Sequence, residues 1–248
     1  MRIYEALRPP LDVGPLLEVV PELELAKGLE QGPFHHLDVF GHTLEVVRGI
    51  EREFDEARLG ADVREDRTDA LRLVGLLHDV AKPLTRGEYE GKVMFVAHDS
   101  LGARLVHRIC RRLDASAETT DLVATLTALH LKIGFMANPR TDYPPQRIVW
   151  AAGPFGEELA VLSWADRLAA QGPRLNDEHI ERHRALCEKF LEASREQGPH
   201  AMPDYESLAE KLGLAEAADV GYATSGLRAL EARGLGREVA LGYISGLR

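Results

Sequence analysis

The chain has 248 residues, 45% of them hydrophobic and 28% charged, enough for one large domain or for one domain with a helical extension. Its two cysteines, Cys110 and Cys187, lie in helix-like segments without CxxC spacing, which suggests neither a disulfide framework nor a thiolate metal site, and they read as small buried apolar residues. A formal net charge of −10 argues against nucleic-acid binding through bulk electrostatics and leaves room only for a local basic site.

The opening residues, MRIYEALRPPLDVG, lack the continuous apolar core of a signal peptide, and no run approaches the roughly 18 apolar residues of a membrane span. The expected location is therefore the cytoplasm, with no membrane partner. Apolar residues at helical intervals then mark helices over residues 38–59, 68–82, 99–114, 118–133, 156–170 and 176–197. Helix starts are expected near Asp38, at Thr68 or Asp69, at Ser100 and at Asn176, and breakers at Lys82-Pro83, Asn138-Pro139 and Gly172-Pro173. Residues 84–99, LTRGEYEGKVMFVAHD, break this pattern with Gly87, Gly91 and a short apolar burst, and read as a loop holding a brief hairpin. Proline and glycine recur over residues 196–207, the expected seam between a body of residues 1–195 and a C-terminal helical tail of residues 196–248. The fold class is all-α.

Four residues resist a plain packing explanation. His42 shares its segment with the inward-facing Phe40, Leu44 and Val47, and alone reads as a hydrogen-bonded core histidine or as a ligand. His78 and Asp79 follow Leu73, Val74, Leu76 and Leu77, so at least one of the pair enters apolar surroundings, where an unpaired charge is costly. An ion pair with Lys82 or Arg86 is one solution and a shared cation the other. Asp166 has Leu159, Leu162 and Ala169 at −7, −4 and +3, which sets a carboxylate in the apolar stripe of a helix, with Arg167 pointing about 100° away. Two imidazoles and two carboxylates suit a divalent ion such as Mn, Fe, Co, Ni, Zn or Mg, with coordination positions left for water.

The ordered set of His42, the doublet His78-Asp79 and Asp166 resembles the H…HD…D signature of the HD-domain metal-dependent phosphohydrolases, and LLHDVAKP is very close to that family's doublet context. With FHHLDVFGHTLEVV, FVAHDSLGARLVHRICRRL and LSWADRLAAQGP, the likeness extends from about Leu16 to Gly172 and is nearest to the HD region of bacterial tRNA nucleotidyltransferases and poly(A) polymerases. No nucleotidyltransferase segment precedes Leu16, so nucleotide addition is not expected. The resemblance implies an HD-domain helical bundle with a C-terminal helical extension. It also implies that His98 and His130 hold a second ion beside the first, bridged by Asp79, while Asp99 orients His98 or serves as a helix-start charge and His35 and His36 line the pocket. The absence of a second histidine after His130 and of a GYP motif sets aside the cyclic-dinucleotide branch.

A phosphate substrate needs cations. Lys82 is expected at the mouth of the site, with Arg86 and Lys92 in the following loop, so Asp79, Lys82 and Arg86 form the candidate catalytic set. Arg104, Arg108 and Arg111 share a helix face opposite Leu101, Leu105, Ile109 and Leu113; this basic stripe reads as a solvated face or as a track for a polynucleotide. His179 and His183 have helical ligand spacing but charged neighbours, and are expected on an exposed face. The leading expectation is a metal-dependent phosphohydrolase acting, through metal-activated water, on a nucleotide or on a 2′,3′-cyclic or terminal phosphate of RNA or DNA. Its rivals are a non-catalytic RNA-binding or partner-docking HD module and a nucleoside triphosphate triphosphohydrolase.

Overall fold

Two short helices, α1 (Arg2–Leu7) and α2 (Val13–Val19), open the chain and place Ile3, Leu7 and Leu16 in the core. The structure, a computed structural model, describes residues 2–138, 144–198 and 200–246; Pro139 of the expected breaker and Pro199 of the expected seam lie outside them. A 3-10 segment, Pro21–Ala26, leads toward α3 (Val39–Glu56). Asp38 fixes that start: one carboxylate oxygen accepts the Gly41 N–H at 2.7 Å, and the other accepts the Gly28 N–H at 2.7 Å, so a single cap also ties down the preceding loop.

The expected helix over 68–82 is two helices. α4 (Thr68–Leu77) ends before His78, and α5 (Lys82–Thr85) restarts after a turn, with Pro83 in its first turn where no N–H is needed. The glycine-bearing segment forms the antiparallel hairpin β1 (Arg86–Tyr89) and β2 (Lys92–Phe95), with Arg86 opposite Phe95 and Tyr89 opposite Lys92. α6 (His98–Arg112) starts two residues before the expected Ser100, because Ala97 takes a φ of 60° and turns the chain directly into the helix. Its buried stripe is also rotated from the expected one. Gly102, Val106, Ile109 and Cys110 are buried, whereas Leu101, Leu105 and Leu113 are only half-buried flanks.

The remaining helices are α7 (Ala117–Leu129), α8 (Lys132–Phe135), α9 (Pro145–Ala152), α10 (Gly156–Ala169), α11 (Asp177–Gln197), α12 (Tyr205–Leu212), α13 (Ala217–Glu231) and α14 (Arg237–Gly246). Ser116 caps α7, and Asn176 caps α11 as expected. The fold is an all-α bundle in which α3 packs between α4 and α10, α7 packs against α4 and α6, and α11 covers α10. Two glycines let α3 pack closely against its neighbours. A Cβ on Gly49 would stand 3.1 Å from the Ala165 Cβ, and one on Gly75 would stand 2.7 Å from Ile50 Cδ1, so α3 meets both α10 and α4 at close range.

After Gln197 the chain breaks and restarts as α12. Leu208, Leu212, Ala223, Leu227 and Ala240 form a small apolar cluster of their own, while α13 lies along α7. Arg228 of α13 pairs with the fully buried Asp121 of α7 and donates to the Ala151 carbonyl at 3.0 Å. Its guanidinium lies 5.2 Å from the Phe155 ring centre, and Arg67 lies 5.0 Å from the same ring.

Candidate metal centre

Four short stretches of chain converge: the first turns of α3 with His42, the turn after α4 with His78 and Asp79, the start of α6 with His98, and the end of α7 with His130. Asp166 reaches the same place from the last turn of α10. The five clustered residues other than Asp166 are no more than 6% exposed, and the Asp166 side chain is 22% exposed toward a cavity.

Three of the imidazoles are oriented by one device. His78 Nδ1 donates to the Gly75 carbonyl at 2.9 Å, His98 Nδ1 to the Phe95 carbonyl at 2.7 Å and His130 Nδ1 to the Thr127 carbonyl at 2.7 Å, each acceptor three residues earlier. Gly75 and Thr127 lie in the last turns of α4 and α7, where carbonyls lack intrahelical partners. A carbonyl only accepts, so Nδ1 carries a hydrogen in all three, and each ring, once neutral, presents the Nε2 lone pair to the centre; burial lowers the His78 pKa, but the Asp79 charge outweighs it and raises the ring above its ordinary value.

Asp79 divides those nitrogens into two sets. Its Oδ2 lies 3.2 Å from His78 Nε2 and 3.7 Å from His42 Nε2; its Oδ1 lies 3.3 Å from His98 Nε2 and 3.7 Å from His130 Nε2. Asp166 Oδ1 joins the first set at 2.9 Å from His42 Nε2 and 3.9 Å from His78 Nε2. Donors about 2.1 Å from one ion and at right angles stand about 3 Å apart, so these separations suit first coordination shells.

The polar bookkeeping points the same way. His78 Nε2 and Asp79 Oδ1 are buried without a hydrogen-bond partner, which is rare for buried polar atoms, while Asp79 Oδ2 has the Lys82 ammonium beside it. His98 Nε2 and His130 Nε2 face each other at 3.2 Å, with each ring's Nδ1 hydrogen already donated to a carbonyl. Burial pushes the His130 imidazole down to about 4, with His78 adding to the effect, so it is neutral near pH 7. For Asp79, burial alone would raise the carboxyl, but His78 and Lys82 outweigh it and hold the group well below its usual range. Asp166 behaves likewise, burial being overcome by the His42 hydrogen bond and charge. Two groups among the described residues could hold a metal ion: His42, His78 and Asp79, and Asp79, His98 and His130.

The adjoining cavity is about 300 Å³ and is bordered by Asp79, Lys82, His98, His130 and Asp166 together with Gln31, Phe34, His35, Met94, Phe95 and Arg167. Lys82 is placed differently from the expected open mouth. It is buried, its Nζ lies 2.6 Å from Asp79 Oδ2, and it donates to Gln31 Oε1 at 2.6 Å. His35 borders the cavity edge-on to His42, with ring centres 4.9 Å apart, and burial pushes its pKa down to about 4; His36 is exposed instead. Asp99 lies in the first turn of α6, where its carboxylate accepts the Ser100 N–H at 2.7 Å and pairs with Lys132 at 2.7 Å.

Arg86 and Lys92 are exposed on the hairpin and do not border the cavity, because β1 and β2 turn only Val93, Met94 and Phe95 toward it. Arg104, Arg108 and Arg111 are exposed on the outer face of α6, away from the centre, and Arg111 lies 3.5 Å from Asp219. The expectation for His183 is corrected. It is 6% exposed and pairs with Ser163 at 3.0 Å, because α10 covers the face on which it lies. Gln31, Phe34 and Arg167 were not indicated by the sequence; the first two lie on an aperiodic loop, and Arg167 stands beside a carboxylate with which it does not pair.

A sequence model of the family described as HD domain matches residues 39–171, more than half of the chain and every residue of the cluster. The chain belongs to the HD domain family. This HD protein is 35% identical to an A-adding tRNA nucleotidyltransferase of Deinococcus radiodurans, over 88% of this chain and 47% of that protein. It is 33% identical to a CC-adding tRNA nucleotidyltransferase of Thermus thermophilus, over 91% of this chain and 48% of that protein. A bifunctional uridylyltransferase/uridylyl-removing enzyme of Nitrobacter winogradskyi is 32% identical over 43% of this chain and 11% of its own length. The chain thus spans just under half the length of the two nucleotidyltransferases. No helix among the described residues is long and apolar enough to cross a membrane.

Proposed function

We propose that this HD protein is a metal-dependent phosphohydrolase acting on nucleotides or on 2′,3′-cyclic or terminal phosphates of RNA or DNA. The observation that carries the reading is the division of Asp79, whose two oxygens each face a different pair of imidazole nitrogens. The donor set of neutral imidazole and carboxylate fits a divalent transition ion. A bound ion supplies Lewis acidity to a phosphoryl oxygen and to water.

The chain's own residues do the rest. His42, His78, Asp79 and Asp166 form one donor set, and Asp79, His98 and His130 the other. The Gly75, Phe95 and Thr127 carbonyls hold three of the rings in the ligating tautomer. Lys82 brings a positive charge to the cavity floor, where it offsets charge on a phosphoryl group, and Phe34, Met94 and Phe95 give the cavity an apolar rim. Arg86 and Lys92 sit outside and can meet only a substrate that extends beyond the cavity.

Phosphate release from a panel of nucleotides and end-phosphorylated oligonucleotides with Mn, Ni, Co or Mg tests the reading. Release by the wild-type chain and its loss in Asp79→Ala are expected; full activity in Asp79→Ala contradicts it. A second reading, an RNA-holding module, is supported by the exposed Arg104, Arg108 and Arg111 and by the names of the two nucleotidyltransferases. It expects salt-sensitive RNA binding that falls on charge reversal of Arg104 and Arg108, with no turnover of any substrate.

A further inference from the structure

Arg167 departs from the pattern set by the other arginines. Arg52, Arg67, Arg72, Arg184 and Arg228 are the other half-buried or buried arginines whose side chains are described, and each has a carboxylate partner. Arg167 has none among the described residues, and its Nε is buried without a hydrogen-bond partner. A guanidinium N–H withdrawn from water and left unmatched is costly unless an anion meets it.

The position of Arg167 identifies that anion. It borders the 300 Å³ cavity of the metal centre and also a side chamber of about 210 Å³, and both spaces are bordered by His130, Leu131 and Asp166. The charged groups bordering the main cavity are Asp79 and Asp166 against Lys82 and Arg167, a balanced set. Two divalent ions would leave that set strongly positive, which favours a dianionic ligand over a monoanionic one. The planar fork of a guanidinium matches the oxygens of a phosphoryl group.

We propose that Arg167 is the anion-binding residue of this site and that it selects a dianionic phosphate, such as a phosphomonoester, over a phosphodiester. The proposal rests on the metal-centre reading given above. Arg167 donates to nonbridging oxygens from the α10 side while Lys82 faces the same group from the α4–α5 turn.

The test is calorimetric titration of the Mn-loaded chain with inorganic phosphate and, separately, with dimethyl phosphate, under conditions without turnover. The wild type is expected to bind phosphate more tightly than the diester. Arg167→Gln is expected to lower phosphate affinity about 10- to 100-fold, the size of a lost charge-assisted hydrogen bond, and to narrow the preference, with Mn stoichiometry unchanged. Arg182→Gln, a change at an exposed surface arginine, is expected to alter neither. Equal phosphate affinity in Arg167→Gln and wild type overturns the proposal, as does a wild type that binds no phosphate. Should Arg167→Gln fail to fold, phenylglyoxal modification of the wild type decides: phosphate is expected to protect Arg167, and an unprotected Arg167 overturns the proposal. Because these are equilibrium readings, phosphate binding lost in Arg167→Gln without any hydrolysis separates failure of the hydrolase reading from failure of this one.

Discussion

His98 and His130 meet Nε2 to Nε2 at 3.2 Å, each with its Nδ1 hydrogen already donated to a carbonyl three residues back. Nε2 lone pairs so arranged repel, and a cation between them turns the repulsion into ligation. His130→Ala is therefore expected to reduce saturable Mn binding from two ions per chain to one, the remaining ion being held by His42, His78, Asp79 and Asp166. Isothermal titration reads the stoichiometry; an unchanged count argues against the second donor set.

Gly75 supplies the carbonyl that orients His78 and also the space that lets α4 approach α3. Its added Cβ would stand 2.7 Å from Ile50 Cδ1 in a packed core. Gly75→Ala is expected to destabilise the fold by about 1–3 kcal/mol, the usual cost of overpacking, and to weaken Mn binding as His78 shifts. Urea unfolding and metal titration check the two effects.

Arg228 ties the C-terminal helices to the bundle. Removing it leaves Asp121 charged and fully buried, so Arg228→Ala is expected to cost about 3–5 kcal/mol, far more than a surface substitution. A loss below about 1 kcal/mol in chemical denaturation would show that α13 is only loosely attached.

His183 makes stability depend on pH. Burial, then the nearby Arg167 charge, pushes its pKa down to about 4, below the ordinary value of 6.5. The unfolded chain therefore takes up a proton that the folded chain refuses, and stability falls as pH drops from the unfolded value toward the folded one. Between about pH 7 and about pH 5 the loss amounts to roughly 2 kcal/mol. His35 and His130 shift in the same direction, so the reading is the difference between wild type and His183→Gln in chelator: the variant is expected to show the shallower decline, and parallel curves contradict the assignment.

The all-α class was legible because apolar residues recur at helical spacing in the long segments, and Asp166 stood out because a mid-helix carboxylate interrupts such a stripe. His98 and His130 carried no comparable signal. They lie at helix ends, where periodicity is silent, and only the family resemblance singled them out. The break between α4 and α5 was hidden because His78 to Ala81 continue the helical spacing while the chain makes a turn. Arg167 points about 100° from Asp166 along the helix, yet a cavity that wraps around a helix collects residues from more than one face. The charged neighbours of His183 suggest an exposed face, since the sequence does not show that α10 covers that side of α11. Gln31 and Phe34 come from a loop whose course is set by the Asp38 cap, a tertiary fact with no local pattern.

Elemental analysis of the purified chain, reconstituted with Mn and freed of loosely held metal, tests the central claim most directly. Two equivalents per chain in the wild type, falling sharply in Asp79→Ala, are the expected result. A chain that retains no metal, or one whose metal content is indifferent to Asp79, contradicts a centre built on that bridging carboxylate.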